Sequence, residues 1–134
     1  MPEPLVIEGS KNNPTVNLNK EANFLKIAGR SIVEDPNKFY MPIYEWLEEY
    51  VKDPNPETRF QFDLEYFNSS SARQVMKLIM LLEEIPKEKS DVTVVWLYEE
   101  GDEMAQERGE EIKQVSKLKF EITEYPMEDD DFEV

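Results

Sequence analysis

The sequence predicts an α/β protein: a mixed β-sheet that begins with an N-terminal β-hairpin and carries three amphipathic helices covering mainly one face. Three observations lead there. Two segments of strict two-residue alternation stand side by side near the N-terminus with only a short break between them. Beyond residue 35, extended segments alternate with single helical ones, an order that requires parallel strand pairs joined by right-handed crossovers. The helical segments number three, each with one apolar stripe, which is enough for one covering layer.

Leu5-Val6-Ile7, a short apolar run before Gly9, reads as the first strand. Pro14 to Asn19 alternates through Thr15-Val16-Asn17-Leu18, and Phe24 to Ile27 repeats the pattern after the break, so the two pair as a hairpin. Gly29 is expected to end the second of these strands, with Arg30-Ser31 in a turn. Pro36 opens a helix, where its missing N–H costs nothing, and Asp35 is placed to cap it. Phe39, Tyr40, Ile43, Trp46, Leu47 and Tyr50 form its apolar stripe; Pro42 falls early enough to be tolerated, and Asp53-Pro54-Asn55-Pro56 stops the helix. Arg59 to Phe67 reads as a strand with Phe60, Phe62, Leu64 and Tyr66 on one face and Gln61, Asp63 and Glu65 on the other.

A second helix is expected from about Ser70 to Glu84, burying Ala72, Val75, Met76, Ile79 and Leu82. Val92 to Tyr98 is almost continuously apolar, as in a strand covered on both faces. A third helix follows from about Asp102 to Ser116, with Met104, Ala105, Arg108, Ile112 and Val115 on one side, and Phe120 to Ile122 can add an edge strand. Residues 1–126 form one expected domain, and 127–134 an acidic tail.

Composition narrows the function. Of 134 residues, 30 are acidic and 15 basic, a net charge of −15 that repels phosphate backbones and anionic lipid, so neither nucleic acid nor membrane insertion is expected. The acidity serves solubility or a basic partner surface. Cysteine and histidine are both absent, which removes thiolate and histidine-based nucleophile systems, disulfides and the usual zinc sites. No apolar run is long enough to span a bilayer, and the N-terminus lacks the features of a secretory signal, so a cytoplasmic location is expected. No cofactor-binding motif is present: there is neither a Walker-type glycine loop nor a dinucleotide fingerprint.

Three constellations could carry chemistry. Asp63 and Glu65 share a strand face and could act as the acid and base of a hydrolase, but no substrate-orienting motif accompanies them and a polar strand face is the ordinary reading of the pair. Glu99-Glu100-Gly101-Asp102-Glu103 could collect a hard cation but lacks the ligand spacing of a calcium loop. The segment Tyr66-Phe67-Asn68-Ser69-Ser70-Ser71-Ala72 is the most informative. There a strand delivers the chain to a helix start, where a serine oxygen can cap a free N–H. Three hydroxyls exceed what one cap needs, and the positive end of a helix favours an added phosphate.

Leu64-Glu65-Tyr66-Phe67-Asn68-Ser69-Ser70-Ser71 also resembles the SiaC family of bacterial regulatory phosphoproteins. So do Leu5 to Gly9 with Pro14, Gly29-Arg30-Ser31, Phe39-Tyr40 with Pro42 and Glu45-Trp46-Leu47, and Val94 to Tyr98. The resemblance covers most of the chain apart from the acidic tail. It implies a STAS-like fold, similar to that of anti-sigma-factor antagonists, and a non-enzymatic role in partner switching. Its implied partners are a serine/threonine kinase of the histidine-kinase-like ATPase type, a PP2C-type phosphatase, and a diguanylate cyclase that the unmodified form binds and activates to raise cyclic di-GMP. By the same resemblance Ser69, following the asparagine, is the phosphoacceptor, with Ser70 and Ser71 as alternates. Tyr66, Asn68, the three serines and Arg73 then form the partner-binding surface. A constitutive acidic scaffold is the alternative without modification.

Overall fold

A computed structural model describes residues 2–127; the expected acidic tail therefore lies outside the described residues except for Met127. Six strands form one sheet in sequence order: β1 (Leu5–Ile7), β2 (Thr15–Asn19), β3 (Phe24–Ser31), β4 (Glu57–Phe67), β5 (Asp91–Glu99) and β6 (Lys119–Tyr125). The first three pair antiparallel and the rest parallel. Helices α1 (Pro36–Tyr50), α2 (Ser69–Leu82) and α3 (Glu103–Val115) make the three crossovers. With strands added in one direction, crossovers of one hand set all three helices on the same face. The expected mixed sheet, N-terminal hairpin and single helical layer are all present.

The core follows from the pairing register. Val16 lies beside Ile27, Ile27 beside Phe62, Phe62 beside Trp96 and Trp96 beside Ile122, a row of inward side chains across five strands. Leu18, Leu25, Phe60, Val94 and Phe120 form the next row. Tyr40, Ile43, Leu47 and Tyr50 of α1 and Val75, Leu78, Ile79 and Leu82 of α2 close over these rows and are all buried. α3 packs through Ala105, Gly109 and Ile112. A Cβ at Gly109 would overlap the Trp96 indole, whose N–H donates to the Ala105 carbonyl at 2.9 Å. Met104 and Val115, expected on this stripe, are exposed because they lie about 100° off it. Ala72 and Met76 of α2 are half-buried rather than buried, and Leu78 and Leu81 take their places in the core.

The opposite sheet face has no helix. Arg59 and Glu121 pair across β5 at 2.7 Å, and the Tyr125 hydroxyl donates to Asp63 Oδ1 at 2.8 Å. Flanked in this way, Thr93 and Val95 of β5, the strand between β4 and β6, are buried on that face, as its apolar run leads one to expect.

Three expectations are corrected in β3 and β4. Gly29 does not end β3, which continues to Ser31; Arg30 and Ser31 are strand residues, not a turn. Gly29 instead adopts φ +114° at an irregularity where its partner is Leu64 while Arg30 pairs with Tyr66. Glu65 is thus an extra residue in β4, a bulge that reverses the facing of everything after it. In consequence Tyr66, expected inside, is 43% exposed, and Phe67 is buried against Trp96.

Candidate functional site

The carboxyl ends of the parallel strands and the starts of all three helices meet at one end of the sheet. Each helix start is capped by a side chain. Asp35 Oδ1 accepts from the Lys38 N–H at 3.2 Å, Asn68 Oδ1 from Ser71 at 2.9 Å, and Asp102 Oδ1 from Ala105 at 3.1 Å. The α2 cap is therefore Asn68 and not a serine, so the helix begins at Ser69 rather than Ser70. Two caps are carboxylates, and α3 has Glu103 in its first turn as well; α2 has a neutral cap and no acidic residue in its first turn. Its positive end is the one left without a compensating charge.

The three serines divide sharply. Ser69 and Ser70 are exposed at the first two helical positions, where backbone N–H groups have no intrahelical partner. Ser71 is fully buried and accepts a hydrogen bond from Ser31 Oγ at 2.8 Å. Ser31 lies 2.7 Å from the Tyr40 hydroxyl. Since Ser31 has one proton and gives it to Ser71, Tyr40 donates to Ser31. This chain of hydroxyls ties α1, β3 and the first turn of α2 together. Burial raises the Tyr40 hydroxyl above the ordinary tyrosine pKa. Ser31 and Tyr40 had no local signature, because they meet Ser71 only through the β3–β4 pairing and the α1–α2 contact.

Around the serines stand the other expected residues. Asn68 is half-buried, Arg73 is exposed one turn along α2, and Tyr66 presents its ring beside the junction, with the Arg30 guanidinium 5.9 Å from its centre. A bond of 2.7 Å from Gln74 Nε2 to Asn37 Oδ1 links α2 to α1 near this end. Asp63 and Glu65 do not converge. Asp63 is half-buried under Tyr125 on the helix-free face, and Glu65 is the exposed bulge residue beside a small cleft that Asp63 does not line. Among the described residues no group of acidic side chains is arranged to hold a metal, the Glu99–Glu103 loop included.

Comparison with known proteins matches this architecture closely. A solved structure described as SiaC of Pseudomonas aeruginosa superimposes with a TM-score of 0.82 at 24% identity, covering 92% of this chain and 99% of that one. A second, of the diguanylate cyclase SiaD in complex with its activator SiaC from the same organism, gives a TM-score of 0.83 at 26% identity over 90% and 99% of the chains. An uncharacterized protein of Pseudomonas aeruginosa (strain UCBPP-PA14) is 26% identical over 118 residues, 88% of this chain and 94% of its own length. The model of the SiaC family of regulatory phosphoproteins matches residues 7–125, and the chain belongs to that family.

Proposed function

We propose that this chain is a non-catalytic cytoplasmic regulator, a single domain over residues 1–126, switched by reversible phosphorylation of Ser69. The observation that carries the reading is an exposed hydroxyl at the start of α2, the helix whose cap is uncharged. A phosphoserine there brings about −1.5 to −2 charges to the uncompensated positive end of a helix, where the free N–H groups of the first turn receive it. Ser70 is the alternate acceptor on exposure. Ser71 is the weaker candidate, because its oxygen is buried and bonded to Ser31.

One relative supports the choice of effector. In the SiaD–SiaC complex the SiaC chain is the activator of a diguanylate cyclase, and we assign this chain the same kind of partner, bound through Tyr66, Asn68, the serines and Arg73. A kinase of the histidine-kinase-like ATPase type adds the phosphate and a PP2C-type phosphatase removes it. Among the described residues no helix is long and apolar enough to cross a membrane. Incubation with a kinase of that type from the same organism and ATP should add one phosphate by intact mass. Ser69→Ala should abolish the gain, and an undiminished gain in that variant would remove Ser69 from the role.

A further inference from the structure

The chain has four arginines: Arg30, Arg59, Arg73 and Arg108. Arg59 is paired with Glu121. The other three form no ion pair among the described residues, in a chain with twice as many acidic as basic side chains. All three belong to elements that meet at the β4–α2 junction. Arg30 is the strand partner of Tyr66 and stacks on its ring. Arg108 of α3 sits 5.2 Å over the Phe67 ring. Arg73 stands at i+4 from Ser69, on the same side of α2.

The exposed Tyr66 and Met104 link Arg30 to Arg108, with the exposed carboxylate of Glu65 beside them. Tyr66 is 43% exposed and Met104 59%, and both line the small cleft whose walls include Arg108 and Glu65. A guanidinium stacked on an aromatic ring is held in place while its N–H donors stay free, so it gives up little freedom on pairing with a carboxylate. Tyrosine, arginine and methionine are the side chains enriched where protein interfaces are driest and strongest. An acidic partner is repelled by most of this surface and is admitted where the unpaired arginines stand.

We infer that Arg30, Tyr66, Met104 and Arg108 dock an acidic segment of a protein partner. Its carboxylates pair with the two guanidiniums, and an apolar side chain packs on the exposed surface of Tyr66 and Met104. The inference rests on the reading of this junction as a partner-binding switch and adds the partner's chemistry. A phosphate on Ser69, with Arg73 one turn along α2, adds negative charge at the same junction and so weakens docking of an acidic segment without altering the fold.

The test has two arms on the full chain. In the first, a synthetic Glu/Asp-rich peptide with a central leucine, and a lysine-rich counterpart, are titrated against the isotope-labelled protein by NMR. Saturable shifts at residues 30, 66, 104 and 108 with the acidic peptide alone, weakened several-fold in Arg30→Gln, support the inference. No shifts there, or shifts indifferent to Arg30→Gln, overturn it. In the second, a diguanylate cyclase of the same organism is bound to the wild type, Arg30→Gln and Arg108→Lys; the lysine variant keeps the charge over Phe67, and Arg30 is exposed. Affinity should fall about tenfold in Arg30→Gln. Cyclase binding that ignores both variants overturns the inference and leaves the proposed function standing. Peptide docking without cyclase binding supports the inference and removes the cyclase.

Discussion

The two ends of the parallel strands carry the same buried chemistry for different purposes. At the carboxyl end, Tyr40, Ser31 and Ser71 form one hydroxyl chain; at the amino end, Tyr50, Thr58 and Ser90 form another, with successive separations of 2.7 Å. Each begins with a tyrosine of α1, ten residues or about 15 Å apart, so a single helix braces both ends. All six residues are at most 3% exposed. The amino-end chain is sealed further: the Asn55 N–H donates to the Tyr50 hydroxyl, and the Asp91 N–H to the Pro56 carbonyl. The carboxyl-end chain runs directly under two exposed serines. One end is a sealed lock, while the other holds still the turn that carries the two exposed serines.

The strongest way to break that contrast is to put charge on either side of its boundary. Ser71→Asp places a carboxylate in a fully buried site with no cation and should cost at least about 3 kcal/mol in urea unfolding. Ser69→Asp, two residues away and exposed at a helix start, should stay within about 0.5 kcal/mol of the wild type. Equal costs would mean that the serines are not divided as described.

A smaller effect separates the two ends themselves. Tyr40→Phe and Tyr50→Phe each remove one hydroxyl and should each cost about 1–3 kcal/mol. Only Tyr40→Phe should accelerate amide exchange at Ser71 and Ala72, because only its chain reaches α2. If Tyr50→Phe did the same, the ends would be one cooperative unit.

The smallest effect is one of pH. Burial raises the folded-state pKa of Tyr40 above its unfolded value, so its contribution is complete below about pH 10 and is lost as pH climbs through the folded value. Tyr40→Phe should therefore flatten the alkaline fall in stability. An unchanged slope above pH 10 would place that loss elsewhere.

Much of this was legible in the chain itself because the deciding interactions are local. Alternation in Thr15 to Leu18 and Phe24 to Ile27 marked the hairpin, and Asp35-Pro36 and the Asp53 to Pro56 run marked the ends of α1. The misreadings share one cause: they depend on residues far away. Glycine at position 29 reads as a terminator until β4 is laid beside it, when it proves to be where the ladder slips. Strict alternation through Tyr66 is the right expectation for a regular strand, and only the partner strand shows that Glu65 is surplus. The serine run pointed to a cap and a switch, yet the cap is Asn68. That Ser71 belongs to the core could not be seen without Ser31, forty residues earlier.

The bulge has a consequence for engineering. It acts as a parity bit: one residue more or less in β4 turns Phe67 out to solvent and Tyr66 into the core, and rotates the entry into α2 with them. A graft of the asparagine–serine junction into another scaffold therefore has to carry Gly29 and Glu65 along with it, although neither belongs to the serine run. Shortening β4 by one residue at Glu65 would leave every serine in the sequence and aim the helix start the wrong way.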